Sequence, residues 1–145
     1  MTKILTNINE KEIKKMSTRA QVRFATREDG VSFSEHPDKI HAQFYVHSDG
    51  YPEGLGLQIA CSISEDSPHT SFYGEIEHVQ TTRGDLNYIY YIWSDYDKDT
   101  WISIFETKPF EDQEGECIFV GKPQKLINRY GSQLEESYYK LNTND

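Results

Sequence analysis

The sequence predicts an α+β fold, a mainly antiparallel sheet of about five to six strands with two helices packed on one face. Three observations lead there. Apolar and polar residues alternate in short runs along most of the chain, the period of half-buried strands. Two stretches instead repeat their apolar residues every three or four positions, the period of a helix lying on a surface. Short turn-forming connections separate the runs, which favours antiparallel neighbours over parallel ones.

Taken in order, residues 1–15 are polar and rich in Lys and Glu, with Ile4, Leu5, Ile8 and Ile13 spaced for a short amphipathic helix or an arm. The domain proper spans 16–141. Ala20, Val22 and Phe24 alternate with Gln21 and Arg23, a half-buried strand. After a polar loop, Ile40, Ala42, Phe44 and Val46 alternate with His41, Gln43, Tyr45 and His47 as its hairpin partner. Asp49-Gly50-Tyr51-Pro52 is turn chemistry. Leu55, Ile59 and Ile63 then recur every four residues, predicting a helix from Glu53 to Ser64. Strands are predicted over Phe72–Val79, Leu86–Trp93, Trp101–Phe105 and Glu116–Val120. Pro123, favoured in the first turn, opens a second helix carrying Leu126, Ile127, Tyr130, Leu134, Tyr138 and Leu141, with residues 142–145 as a tail. The expected core is Ala20, Val22, Phe24, Ile40, Phe44, Val46, Ile59 and Ile63.

At 145 residues the chain has the length of one domain able to bury a core without staples. A hydrophobic fraction of 36% is low, but the 13% aromatic content supplies large buried area per residue, so a modest, aromatic-rich core is expected. The apolar run Tyr88–Trp93 is far too short to span a membrane, and the first residues lack the apolar segment of a signal peptide. Cys61 and Cys117 lie among apolar neighbours and read as buried free thiols of a cytoplasmic protein.

A net charge of -9 argues against direct nucleic-acid binding, which needs a basic face. The acid is uneven. Between Asp95 and Glu116 eight carboxylates face only Lys98 and Lys108. Such a stretch is either a solvated face or a surface that docks on a basic partner.

Asp95, Asp97 and Asp99 with Ile102, Ser103 and Glu106 fill the slots of a calcium-binding EF-hand loop except the sixth, where Thr100 replaces the required Gly. The flanks alternate as strands rather than helices, so an acidic hairpin turn is expected and no metal. His41 and His47 share a strand face but lie about 20 Å apart, and no CxxC, HExxH or HxH spacing occurs. No phosphate-cradling glycine loop is present, and no cofactor is expected. Arg83-Gly84-Asp85 reads as a turn into a strand.

One cluster remains. Ser17-Thr18-Arg19 leads into the first strand and His47-Ser48-Asp49-Gly50-Tyr51-Pro52 leaves the second, so a hairpin brings Arg19 and His47 to one end of the sheet. Thr18, Arg19, His47, Asp49 and Tyr51 are therefore candidate ligand-binding residues, suited to an anion or nucleotide. The alternative is a structural knot in which Arg19 pairs with Asp49 and His47 packs.

These motifs, with Gly84-Asp85-Leu86-Asn87-Tyr88, resemble a group of small phage and prophage proteins showing S-T-R, H-x-D-G-Y-P and G-D-[IL]-x-Y in that order. The resemblance covers about residues 16–106 and carries no activity with it. It implies a phage or mobile-element context, where small accessory proteins are often inhibitors of host defence. The expected function is binding rather than catalysis: a monomer or homodimer in the bacterial cytoplasm that inhibits a defence effector, a host protein or protein–nucleic-acid complex. Asp95, Asp97, Asp99, Glu111, Asp112 and Glu114 would form the partner-binding surface. The alternative is a nucleotide or small-ligand binding protein or hydrolase built on the Arg19/His47/Asp49 cluster.

Overall fold

Alternation along the first two strands sets the frame. In the computed structural model, which describes residues 17–27, 37–63, 72–108 and 114–131, β1 (Ala20–Thr26) pairs antiparallel with β2 (Lys39–Val46). A π-helical turn, Pro52–Gly56, runs into α1 (Leu57–Ile63). Then come β3 (Glu75–Glu77), β4 (Tyr88–Ser94), β5 (Thr100–Thr107) and β6 (Glu114–Gly121). A second helix, α2, occupies 123–131 and begins at Pro123 as its sequence predicts. The result is an α+β fold with a six-stranded, mostly antiparallel sheet in the order β3-β2-β1-β4-β5-β6.

One pairing departs from a purely hairpin reading. β4 lies parallel to β1, from Ala20 opposite Tyr88 to Thr26 opposite Ser94. β3 has added to the outer edge of β2, which leaves the other edge of β1 open for β4 to fill. The chain must therefore cross back over β2 and β1 between β3 and β4, and residues 78–87 form this strap.

The sheet buries both faces. Against one, Leu55, Leu57, Ile59 and Ala60 from the first helical stretch and Leu126 and Tyr130 from α2 pack on Ala20, Val22, Val46, Tyr90, Ile92, Ile102, Ile104 and Phe119. Burial of this apolar set is the main stabilising term, at about 25 cal/mol per Å² removed from water. Phe24, Phe44 and Phe72 extend the layer through edge-on and stacked ring contacts. On the opposite face Ala25, Tyr45, Leu86, Ile89, Tyr91, Trp93 and Phe105 form a second cluster.

Ala20, Val22, Val46 and Ile59 are buried as expected, with Phe24 and Phe44 half-buried against the same layer. Ile40 belongs to the second cluster instead. A register shift between Phe24 and Ala25 sets Ala25 opposite Ile40 and leaves His41 unmatched; one extra residue reverses which face a strand side chain meets. Ile63, at the end of α1, is 36% exposed. β3 is shorter than its predicted span and β6 longer, beginning at Glu114. Leu134, Tyr138 and Leu141 lie outside the described residues.

Candidate functional site

The three sequence motifs meet at one corner because β1 is central: β2 ends on one side of it and β4 begins on the other. The Gly50 N–H donates to the Thr18 carbonyl at 3.0 Å. A Cβ on Gly50 would come within 2.9 Å of the Ala20 Cβ, so only glycine lets this turn close on β1. Asp49 holds φ 57°, a left-handed conformation that Asp tolerates better than most residues. Tyr90, from β4, donates its hydroxyl to the Gly50 carbonyl at 2.6 Å in the buried interior. On the other side, Asn87 accepts from the Arg19 N–H at 3.0 Å and donates its own N–H to the Arg19 carbonyl at 2.8 Å.

Side chains at this corner pair differently from the sequence expectation. Arg19 meets Asp85 at 3.5 Å rather than Asp49, with both about half exposed. His47 meets Glu75 at 3.0 Å, also in the open, and sets its ring edge-on against Tyr45 at 4.4 Å. Tyr45 donates to Asp85 at 2.6 Å and carries the Arg83 guanidinium 3.6 Å above its ring. Burial first, then the Asp85 hydrogen bond and charge, push its phenol up to about 12. Tyr51 is half-buried beside Asp49 and Glu53, and burial followed by those charges raises its phenol. Thr18 is buried. The corner thus sets Arg19 and His47 around Tyr45 and Asp85, with the Thr18 carbonyl holding Gly50, and the Arg83 and Asp85 side chains bind within the molecule.

Sequence reasoning missed a second polar assembly. Gln21, Arg23 and Gln43 alternate like solvent-facing positions, yet Gln21 and Gln43 are 1% and 0% exposed. They lie under the strap. Gln21 donates to Glu77 and to the Thr81 carbonyl at 2.8 and 3.1 Å. Gln43 donates to Glu77 at 2.9 Å and to the Thr81 and His78 carbonyls at 3.0 and 3.3 Å. Irregular backbone laid over a sheet brings carbonyls that need donors, and the carboxamides supply them. Arg23 completes the assembly, donating to Gln43, Gln21 and Tyr91 at 3.0, 3.0 and 2.6 Å and pairing with Glu114 at 3.2 Å. Tyr91 also donates to Glu114. The signal available in sequence was a glutamine on each of two neighbouring strands, Gln21 on β1 and Gln43 on β2, side chains that can donate to backbone carbonyls as well as to water.

The acidic region divides into structural and displayed groups. Asp95 accepts from the Asp99 N–H at 2.9 Å and from the Trp101 indole at 2.8 Å, and the Trp101 bond holds its carboxyl below the usual range. Lys98 turns the chain with φ 65°. This is a hairpin turn between strands, and among the described residues no group of three or more His, Cys, Asp or Glu is placed to hold a metal. The turn projects Tyr96, 73% exposed, with Asp97 and Asp99; Asp99 lies 3.8 Å from Lys122. Glu114 falls in β6 rather than in a loop, its side chain 20% exposed beside Arg23. Glu111 and Asp112 lie outside the described residues.

His41 bonds Thr26 at 2.8 Å, whereas His47 meets Glu75. Neither thiol is in a disulfide, and neither is buried, although the sequence predicts both to be: Cys61 is exposed on the outer side of α1 and Cys117 is half-buried, donating to the Phe119 carbonyl at 3.3 Å. Among the described residues no helix is long and apolar enough to cross a membrane. Compared with protein-family models, curated proteins and solved structures, the chain matches none.

Proposed function

We propose that this chain is a phage-type accessory protein that works by binding, inhibiting a bacterial defence effector such as an RNA-guided nuclease complex through its acidic surface. The observation that carries this reading is the β4–β5 hairpin tip. Its base is tied by Asp95, and Tyr96, Asp97 and Asp99 stand in solvent beyond it. An exposed aromatic flanked by charge suits recognition, since aromatic side chains carry much of the energy at interfaces. A net charge of -9 favours a basic counterpart, such as the groove through which an effector holds nucleic acid.

The test is target-DNA cleavage by purified RNA-guided nuclease complexes, with and without the protein. Inhibition by the parent chain, relieved by joint Asp97→Lys and Asp99→Lys substitution, supports the reading. Absence of inhibition across the complexes, or inhibition indifferent to charge reversal, overturns it.

A second reading rests on Asp49. Its left-handed backbone, two residues after His47, is followed by a π-helical turn, and both kinds of irregularity gather at functional sites. On this reading Thr18, Arg19, His47, Asp49 and Tyr51 hold a nucleotide or another small anion. Titration with nucleoside mono-, di- and triphosphates separates the two, because binding lost in Arg19→Ala and His47→Ala with melting unchanged belongs only to the second.

A further inference from the structure

We infer that β3 and the strap 78–87 form a cover that opens separately from the rest of the sheet, and that the Glu77 carboxylate is its latch. The argument begins with connectivity. β3 is an edge strand of three residues, paired only to β2 among the described residues, at Glu75, Ile76 and Glu77. The strap that follows is irregular over 78–87, so it has little ladder of its own. Its internal backbone ties are short-range: the Thr81 N–H donates to the His78 carbonyl at 2.9 Å, and the Gln80 N–H to the His78 ring at 3.1 Å.

Side chains fasten this unit at two points: Asp85, which meets Tyr45 and Arg19, and Glu77, on which three more converge. Glu77, only 8% exposed, accepts from Gln21 and Gln43 on one oxygen, at 2.8 and 2.9 Å, and from Arg83 on the other at 2.9 Å. It thereby joins β1, β2 and the strap at one point. The same glutamines hold the Thr81 carbonyl, and Arg83 is pressed on Tyr45. Beyond the latch, Asn87 ties the strap's far end to β1 through two backbone-directed bonds, which makes it the natural hinge.

Little apolar burial opposes opening of β3 and of the strap as far as Asp85; Leu86, next to the Asn87 hinge, stays in the second cluster. Ile76 is 77% exposed and Tyr73 98%, whereas the β4 and β5 side chains Tyr90, Ile102 and Ile104 are fully buried. Segments with few buried apolar contacts open locally while the core stays closed. Opening would bring the Gln21 and Gln43 carboxamides into water beside the Arg23–Glu114 pair.

Hydrogen exchange of the full chain tests this, read residue by residue by NMR. In Glu77→Gln the amides of Glu75 to Thr81 should exchange at least tenfold faster, while those of Ile89 to Ile92 and Ile102 to Ile104 keep their parent rates. Glu75→Gln, which alters an exposed partner of His47 on the same strand, should change neither set. Should Glu77→Gln fail to fold, Arg83→Gln removes the single bond to the second oxygen and should still accelerate the cover selectively. Equal acceleration across all strands, or unchanged exchange in the cover, overturns the inference.

Discussion

Glycine 50 shows how a single atom decides the corner of this molecule. Its missing Cβ lets the turn after β2 press on Thr18 and Ala20. Gly50→Ala should therefore lower stability by about 1–3 kcal/mol, the usual cost of overpacking, seen as a drop in melting temperature. Arg19 behaves in the opposite way. Because its pair with Asp85 is half exposed, Arg19→Ala should cost under about 1 kcal/mol, and a loss of several times that would mean the corner depends on it. Tyr45 carries a pH signature. Unfolded tyrosine ionises near 10, while its phenol in the folded protein is pushed up to about 12. The unfolded chain thus releases this proton first, so the stabilisation is complete below about pH 10 and lost as pH rises toward about 12. Thermal melts from pH 8 to 11 should show that fall, and Tyr45→Phe should make it shallower.

At the scale of elements, Arg23 is the position where strand pattern and strand environment disagree most. A charged residue alternating with Ala, Val and Phe reads as solvent-facing, yet here it bonds four side chains drawn from β1, β2, β4 and β6. Arg23→Met should cost roughly 2–4 kcal/mol, because Glu114 and both glutamines would keep their burial and lose their partner; denaturant melts measure it. The strands themselves were legible: the alternation of β1 and β2, the aromatic run of β4 and Pro123 at the start of α2 all appear where their sequence places them. Non-local pairing was not. Nothing local in Tyr88–Ser94 distinguishes a strand beside β5 alone from one that also lies parallel to β1, since that choice is made by which edges remain open. The same gap hid the strap, and with it the reason for Gln21 and Gln43. The candidate corner was legible as a gathering of motifs, because a hairpin must bring Arg19 and His47 to one end. Their partners Asp85 and Glu75 arrive from distant elements, so the pairing was not.

At the scale of the whole molecule, the fold keeps its helices on one face and a polar, strapped surface on the other, with an acidic hairpin tip projecting at one end. The turn that carries these charges is tied by Asp95, which accepts from the Asp99 N–H and the Trp101 indole, so melting temperature should be the same in excess calcium and in chelator. A calcium-dependent rise of several degrees would show that the turn is a metal loop after all. The central proposal is that Asp97 and Asp99, with Tyr96 on the same turn between β4 and β5, form the surface that engages a basic effector. Its most direct test is the salt dependence of the dissociation constant between this protein and the nuclease complex proposed as its target. Exposed charge pairs are screened over about 8 Å at physiological ionic strength, so binding of the parent chain should weaken steeply from 50 to 300 mM salt. The Asp97→Lys, Asp99→Lys variant, folded to the same melting temperature, should bind more weakly and with a flatter slope; equal affinity and equal slope for the two proteins would contradict the account.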